Sequence, residues 1–121
     1  MTATVSEIHV CRIDDLTPGL GAAALVEGEQ VALFRLDDGT VHAVQNMCPF
    51  ADAAVISRGI TGDRGGEPTI CSPLYKQVFS LVTGECLVTM DKEPVHTSPD
   101  LTVYPVTVRD GDVLVTVVRS L

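Results

Sequence analysis

Tight turns at short intervals constrain this sequence more than any other feature. Four residue pairs typical of hairpin turns separate short runs rich in valine, leucine and alanine: Glu27-Gly28, Asp38-Gly39, Thr83-Gly84 and Asp110-Gly111. Glycine reaches the positive φ that such turns need without a steric cost. The clearest case is Asp110-Gly111, which lies between two β-branched runs at the end of the chain. The turns therefore predict a succession of antiparallel hairpins.

The runs between these turns are predicted to be strands, because none repeats its apolar residues with the 3.6-residue period of an amphipathic helix. The predicted strands are residues 6–13, 22–26, 30–36, 41–44, 76–81, 85–88, 101–109 and 113–119. The glycine-rich stretch 61–67 and the proline-containing stretch 91–100 are predicted to be loop and linker. We expect one domain, residues 1–121, folded as an all-β antiparallel sandwich or barrel of about three small sheets with little or no helix.

Charge and hydropathy narrow the choice of partners. The formal net charge of −8 repels phosphate backbones and anionic lipid headgroups, so neither nucleic acid nor a membrane surface is expected as a partner. The first ten residues show no basic, apolar leader, and no apolar run approaches the ~20 residues of a membrane helix. We therefore expect a cytoplasmic protein.

Two short loops hold the cysteines of greatest chemical interest. The first loop is Asn46-Met47-Cys48-Pro49-Phe50-Ala51-Asp52, and the second loop is Cys71-Ser72-Pro73-Leu74-Tyr75-Lys76-Gln77-Val78-Phe79. Each loop follows a β-rich run and has a proline close behind the sulfur. The other two cysteines, Cys11 and Cys86, are expected to be small buried hydrophobes. No Cys-x-x-Cys pair is present, so neither a zinc ribbon nor a thioredoxin-type redox centre is indicated.

This layout resembles a Rieske iron-sulfur domain. In such domains the first loop reads Cys-x-His and the second Cys-x-x-His, and the four side chains hold a [2Fe-2S] cluster. Cys48 and Cys71 match the cysteines, and the histidine positions fall on Phe50 and Leu74. Neither of these side chains can bind iron. The resemblance therefore implies vestigial cluster loops, with no cofactor, no metal and no catalytic residue in this chain.

The three histidines do not restore the missing ligands. His9 and His42 lie in predicted strands and His96 lies in the predicted linker, so ordinary surface or hydrogen-bonded roles are expected for all three. If Cys48 and Cys71 held a cluster, one iron would keep two open positions.

Five segments carry a closer resemblance that extends over nearly the whole chain: residues 11–16, 30–35, 46–50, 55–59 and 72–81. They resemble the small subunit of the cytoplasmic NAD(P)H-dependent nitrite reductase. The resemblance implies an accessory, cluster-free subunit beside a large subunit that carries FAD, siroheme and an iron-sulfur cluster, the two together reducing nitrite to ammonium. Two alternatives stay open: a Rieske-type [2Fe-2S] ferredoxin that serves an oxygenase or reductase, and a thiol switch that uses Cys48 and Cys71.

The vestigial loops also suggest where a partner would bind. Phe50 and Leu74 either form a small exposed docking patch or turn inward and fill the space of the lost cluster. Arg58 and Lys76 are the basic residues expected to contact the partner beside them. Cys48 and Cys71 are expected to face each other at a distance suited to a disulfide, unless Phe50 and Leu74 wedge them apart.

Overall fold

The structure, a computed structural model, describes residues 3–95 and 98–120. Within these ranges the chain forms thirteen strands and two short 3-10 helices, Ile13–Asp15 and Ile56–Arg58. The strands are β1 (Ala3–Arg12), β2 (Gly21–Val26), β3 (Glu29–Arg35), β4 (Val41–Gln45), β5 (Met47–Cys48), β6 (Ala53–Ala54), β7 (Ile60–Arg64), β8 (Glu67–Cys71), β9 (Val78–Ser80), β10 (Cys86–Val88), β11 (Val103–Tyr104), β12 (Val106–Arg109) and β13 (Asp112–Ser120). Neither helix in this described part is long or apolar enough to cross a membrane.

The strands assemble into three antiparallel sheets and one two-stranded ladder. In the described residues the sheet orders are β1-β13-β12, β11-β4-β3-β2 and β10-β9-β8-β7, with β5-β6 as the ladder. The predicted hairpins are present. Glu27 and Gly28 have φ values of 50° and 83° between β2 and β3, and Asp110 and Gly111 have 53° and 82° between β12 and β13. The all-β antiparallel prediction is confirmed.

Two predictions about individual segments are wrong. Residues 61–67 are not a loop, because β7 and β8 pair there and Gly65 and Gly66, both with positive φ, make the turn. The predicted strand 101–109 is broken at Pro105, which has no N–H for a ladder. Before it, β11 pairs with β4; after it, β12 pairs with β13. The proline therefore marks the point where the chain passes from one sheet to another.

Two apolar cores lie on opposite sides of the central strand β3. Val31 and Leu33 pack with residues of β13 such as Val115, whereas Ala32 and Phe34 face the core that contains Cys48. Because side chains alternate along a strand, β3 is buried on both faces. The core that contains Cys48 also includes Phe50 of the first cysteine loop and Phe79 of the second, and it therefore helps to position both loops.

Candidate functional site

The two cysteine loops lie side by side at one end of the molecule. Sγ of Cys48 lies 3.6 Å from Oγ of Ser72, and both side chains are fully buried. The first loop is the turn of the β5-β6 ladder, in which the amide of Asp52 donates to the carbonyl oxygen of Cys48 at 2.9 Å. The sulfur of Cys48 is thus held against the start of the second loop.

The second loop closes on itself by two backbone hydrogen bonds. The amide of Ser72 donates to the carbonyl of Gln77 at 2.8 Å, and the amide of Lys76 donates to the carbonyl of Ser72 at 3.2 Å. Ile70 and Ser72 are buried, whereas Cys71 between them is only half-buried. Alternation along the chain therefore turns Ser72 toward Cys48 and Cys71 away from it.

This contact shifts the assignment of the vestigial ligand positions in the second loop. The second-loop residue that contacts the side chain of Cys48 is Ser72, and the prolines agree with this pairing, because Cys48-Pro49 and Ser72-Pro73 then align. Tyr75 lies three residues after Ser72 and, in this register, takes the place expected for Leu74. The adjacent proline was the sequence signal that could have revealed this register.

Phe50 and the second-loop side chains differ in exposure. Phe50 is 5% exposed and packs in the core with its ring centroid 6.2 Å from that of Phe79. Leu74 is 51% exposed and Tyr75 is 42% exposed. Phe50 thus fills interior space, while Leu74 and Tyr75 are exposed at the surface. Nζ of Lys92 lies 4.5 Å from the ring centroid of Tyr75.

The side chains present do not fit a [2Fe-2S] cluster of the Rieske type. Such a cluster needs two thiolates and two imidazoles, and the four positions that this register matches to the Rieske ligands supply the single sulfur of Cys48 together with Phe50, Ser72 and Tyr75. Among residues 3–95 and 98–120, no group of three or more His, Cys, Asp or Glu side chains is placed to hold a metal ion.

The described histidines are engaged elsewhere. Nε2 of His9 lies 3.1 Å from Oδ1 of Asp112, across the β1-β13 pair. Nε2 of His42 lies 3.3 Å from Oγ1 of Thr40, and burial lowers the pKa of His42 below its usual value. His96 lies outside the described residues.

The other cysteines lack the features of a reactive thiol. Burial raises the pKa of the Cys11 thiol, helped by the carboxylate of Asp15. Burial also raises the pKa of the Cys86 thiol, whose Sγ donates to the carbonyl of Val88 at 3.5 Å. A raised pKa reduces the thiolate fraction on which nucleophilic reactivity depends. Cys48 is completely buried, so a thiol switch would require the loops to open first.

Buried amide side chains that the sequence analysis did not single out hold the two loops in place. Oδ1 of Asn46 accepts from the amide of Ser57 at 2.7 Å, and Nε2 of Gln77 donates to the carbonyl of Thr89 at 3.3 Å. Both side chains are nearly or fully buried, where each of these hydrogen bonds helps to fix the position of the side chain, although Oε1 of Gln77 has no hydrogen-bond partner among the described residues.

A Ser72→Cys variant is expected to form a disulfide with Cys48 on mild oxidation, because the two side chains already face each other. The unsubstituted chain is expected to form no Cys48 to Cys71 link. Mass spectrometry of the oxidised, digested proteins measures both results. A Cys48 to Cys71 link in the unsubstituted chain would show that Cys71 is the facing residue after all.

Comparison with known proteins places most of the chain in one family. The sequence pattern of the Rieske-like [2Fe-2S] domain matches residues 7–116. A crystal structure assigned as an NADH-dependent nitrite reductase small subunit from Mycobacterium tuberculosis is 46% identical, covers 96% of each chain and superposes with a TM-score of 0.78. The nitrite reductase (NADH) small subunit of Salmonella typhimurium is 46% identical over 80 residues, 65% of this chain and 74% of its own length.

Two further similarities bear on function. The nitrite reductase [NAD(P)H] large subunit of Klebsiella oxytoca is 44% identical over 75 residues, which are 62% of this chain but only 8% of that protein. The 3-phenylpropionate/cinnamic acid dioxygenase ferredoxin subunit of Photorhabdus laumondii is 34% identical over 113 residues, 93% of this chain and 96% of that protein.

Proposed function

The chain belongs to the Rieske-like [2Fe-2S] domain family and is homologous to nitrite reductase small subunits, and from this premise we propose that it is the accessory small subunit of a cytoplasmic NAD(P)H-dependent nitrite reductase. Its partner is a large subunit that carries FAD, siroheme and an iron-sulfur cluster. Reduction of nitrite to ammonium takes six electrons, which three NAD(P)H supply. In this proposal every electron carrier belongs to the large subunit.

The observation that carries the proposal is the contact between Cys48 and Ser72. A domain that transfers electrons through its own cluster needs four ligands, and the facing loops offer one thiol. Phe50 occupies interior space with Phe79 instead of pointing a ligand outward. The two loops are in contact but lack the ligands of a cluster, which supports a structural or docking role.

The similarity to the Klebsiella oxytoca large subunit supports the choice of partner. That large subunit contains, within its own polypeptide, a segment similar to this chain. A domain similar to this chain can therefore occupy a position next to the other parts of a large subunit.

A Rieske-type [2Fe-2S] ferredoxin is the second candidate, favoured by the similarity to the dioxygenase ferredoxin subunit. It requires that the chain bind a cluster, which the residues at Cys48, Phe50, Ser72 and Tyr75 do not support. The two candidates therefore differ in a property that is simple to measure.

We expect the chain produced on its own with iron and sulfide in excess to be colourless and to contain well under one iron per chain. We expect the chain purified from its own host to co-purify with a large flavin- and siroheme-containing protein. Iron analysis, visible absorption and identification of the co-purified protein measure this. A brown chain with about two irons would establish the ferredoxin instead, because that is the content of one [2Fe-2S] cluster. An iron-free chain that retains no large partner under gentle conditions would contradict both.

A further inference from the structure

Three segments meet at the end of the molecule that carries the cysteine loops: the first loop, the second loop and residues 89–95. Three contacts join them. The amide of Val95 donates to the carbonyl of Pro49 at 2.8 Å, and Nε2 of Gln77 donates to the carbonyl of Thr89 at 3.3 Å. Nζ of Lys92 lies 4.5 Å from the ring centroid of Tyr75. The segment 89–95 thus lies against both loops and forms one continuous surface with them.

This surface is apolar and exposed. It presents four large apolar side chains with exposed fractions between 42% and 53%. We call these four residues, together with the two lysines beside them, the tip surface. It consists of Leu74, Tyr75, Lys76, Met90, Lys92 and Val95. An exposed apolar group of this kind is typical of a protein interaction site.

The backbone around the tip surface adopts rare conformations. Among the described residues, six non-glycine residues have positive φ, and two of them, Glu27 and Asp110, precede glycine in hairpin turns. The other four lie in the two loops and residues 89–95: Asp52, Lys76, Met90 and Asp91. Each such residue costs on the order of 1–3 kcal/mol, and strain of this kind concentrates at functional sites.

The charge distribution indicates what kind of partner this surface accepts. The sequence has only two lysines, Lys76 and Lys92, and both belong to the tip surface. The three segments carry these two lysines against three carboxylates, a formal charge of −1, which leaves −7 of the net −8 on the rest of the chain. Interface cores are depleted in charge, so this near-neutral end is where an acidic chain approaches another protein with least repulsion.

We infer that the tip surface is the docking site for the large subunit, which meets it with an apolar patch flanked by carboxylates that pair with Lys76 and Lys92. This inference rests on the proposed function. It keeps Leu74 and Lys76 as partner contacts and adds the contribution of residues 89–95. Phe50, which is buried, and Arg58, which lies on the 3-10 helix outside these segments, are not part of it.

Binding of the large subunit to Leu74→Asp and Lys76→Glu variants tests the inference. Leu25→Asp is the matched control for Leu74→Asp, and Arg64→Glu is the matched control for Lys76→Glu. Leu25 and Arg64 are also exposed, and each control changes the net charge by the same amount as the tip variant that it matches. Sedimentation of the complex is expected to show at least ~tenfold weaker binding for both tip variants and unchanged binding for both controls. Circular dichroism checks that all four variants fold.

Lysine labelling gives a second test that needs no variant. Mass spectrometry after amine modification is expected to show Lys76 and Lys92 modified in the isolated chain and protected in the complex. If the unsubstituted chain does not bind the large subunit, the proposed function fails and the docking inference with it. If it binds while the tip variants bind equally well, or while the lysines stay labelled, only the docking inference is overturned. A loss in the Leu25→Asp control as large as that in Leu74→Asp also overturns it.

Discussion

Replacing Gly84 by alanine is expected to lower the free energy of unfolding by at least about 3 kcal/mol, the largest effect that we predict for a single methyl group. Gly84 has φ 80°, a conformation that costs an L-residue roughly 1–2 kcal/mol. An added Cβ would also lie 2.0 Å from the carbonyl oxygen of Leu101. That contact cannot relax cheaply, because the amide of Leu101 donates to the carbonyl of Gly84 at 2.8 Å and the Leu101 side chain is in the core.

Gly28→Ala is the matched control for this experiment. Gly28 has φ 83°, so it carries the same conformational cost, but nothing lies within 4 Å of an added Cβ. Thermal unfolding is expected to show a decrease in Tm of about 5 °C for Gly28→Ala and of at least ~12 °C for Gly84→Ala. Equal decreases would mean that the backbone near Leu101 yields to the methyl group and that only the positive φ matters.

Local turn chemistry explains why much of the fold could be predicted. A residue pair such as Asp110-Gly111 determines its hairpin through the φ values of those two residues alone, so the signal is complete within the sequence. The pairing of β1 with β13 joins the two ends of the chain, and no local pattern specifies it. Residues 61–67 were misread for a related reason: their exposed polar side chains resemble a loop, although Gly65 and Gly66 make a hairpin turn between two strands.

The sequence points to the two cysteine loops as the candidate site, and the structure brings the two loops together but places Ser72, and not Cys71, against Cys48. A cysteine is a conspicuous residue, so Cys71 attracted the assignment that the structure gives to its neighbour Ser72. Adjacent residues of an extended chain point to opposite sides, and a shift of one position therefore exchanges an outward side chain for an inward one. Only the side-chain contact with Cys48 resolves which of the two faces the first loop. The contribution of residues 89–95 could not be predicted at all, because its contacts with both loops are tertiary.

The register that places Ser72 opposite Cys48 leads to the second large expected effect, which is cluster binding by a variant of the chain. A Phe50→His, Ser72→Cys, Tyr75→His triple variant, reconstituted anaerobically with iron and sulfide, is expected to bind about two irons per chain. It places two thiols and two imidazoles at the four positions that this register matches to the Rieske ligands. The unsubstituted chain and a Phe50→His, Leu74→His double variant are expected to hold far less than one iron, because the double variant leaves a hydroxyl opposite Cys48. Iron analysis and visible absorption measure the difference.

Two further variants determine which sulfurs bind the cluster. Adding Cys48→Ala to the triple variant is expected to abolish iron binding. Adding Cys71→Ser is expected to leave iron binding unchanged, because the side chain that contacts Cys48 is that of residue 72. If Cys71→Ser removes the iron, or if the double variant binds as much as the triple variant, then Cys71 is the ligand position and the assignment to Ser72 is wrong. A triple variant that folds but stays colourless would instead show that the space occupied by Phe50 and Phe79 has closed too far to admit a cluster. Its Tm, compared with that of the unsubstituted chain, distinguishes that result from a failure to fold.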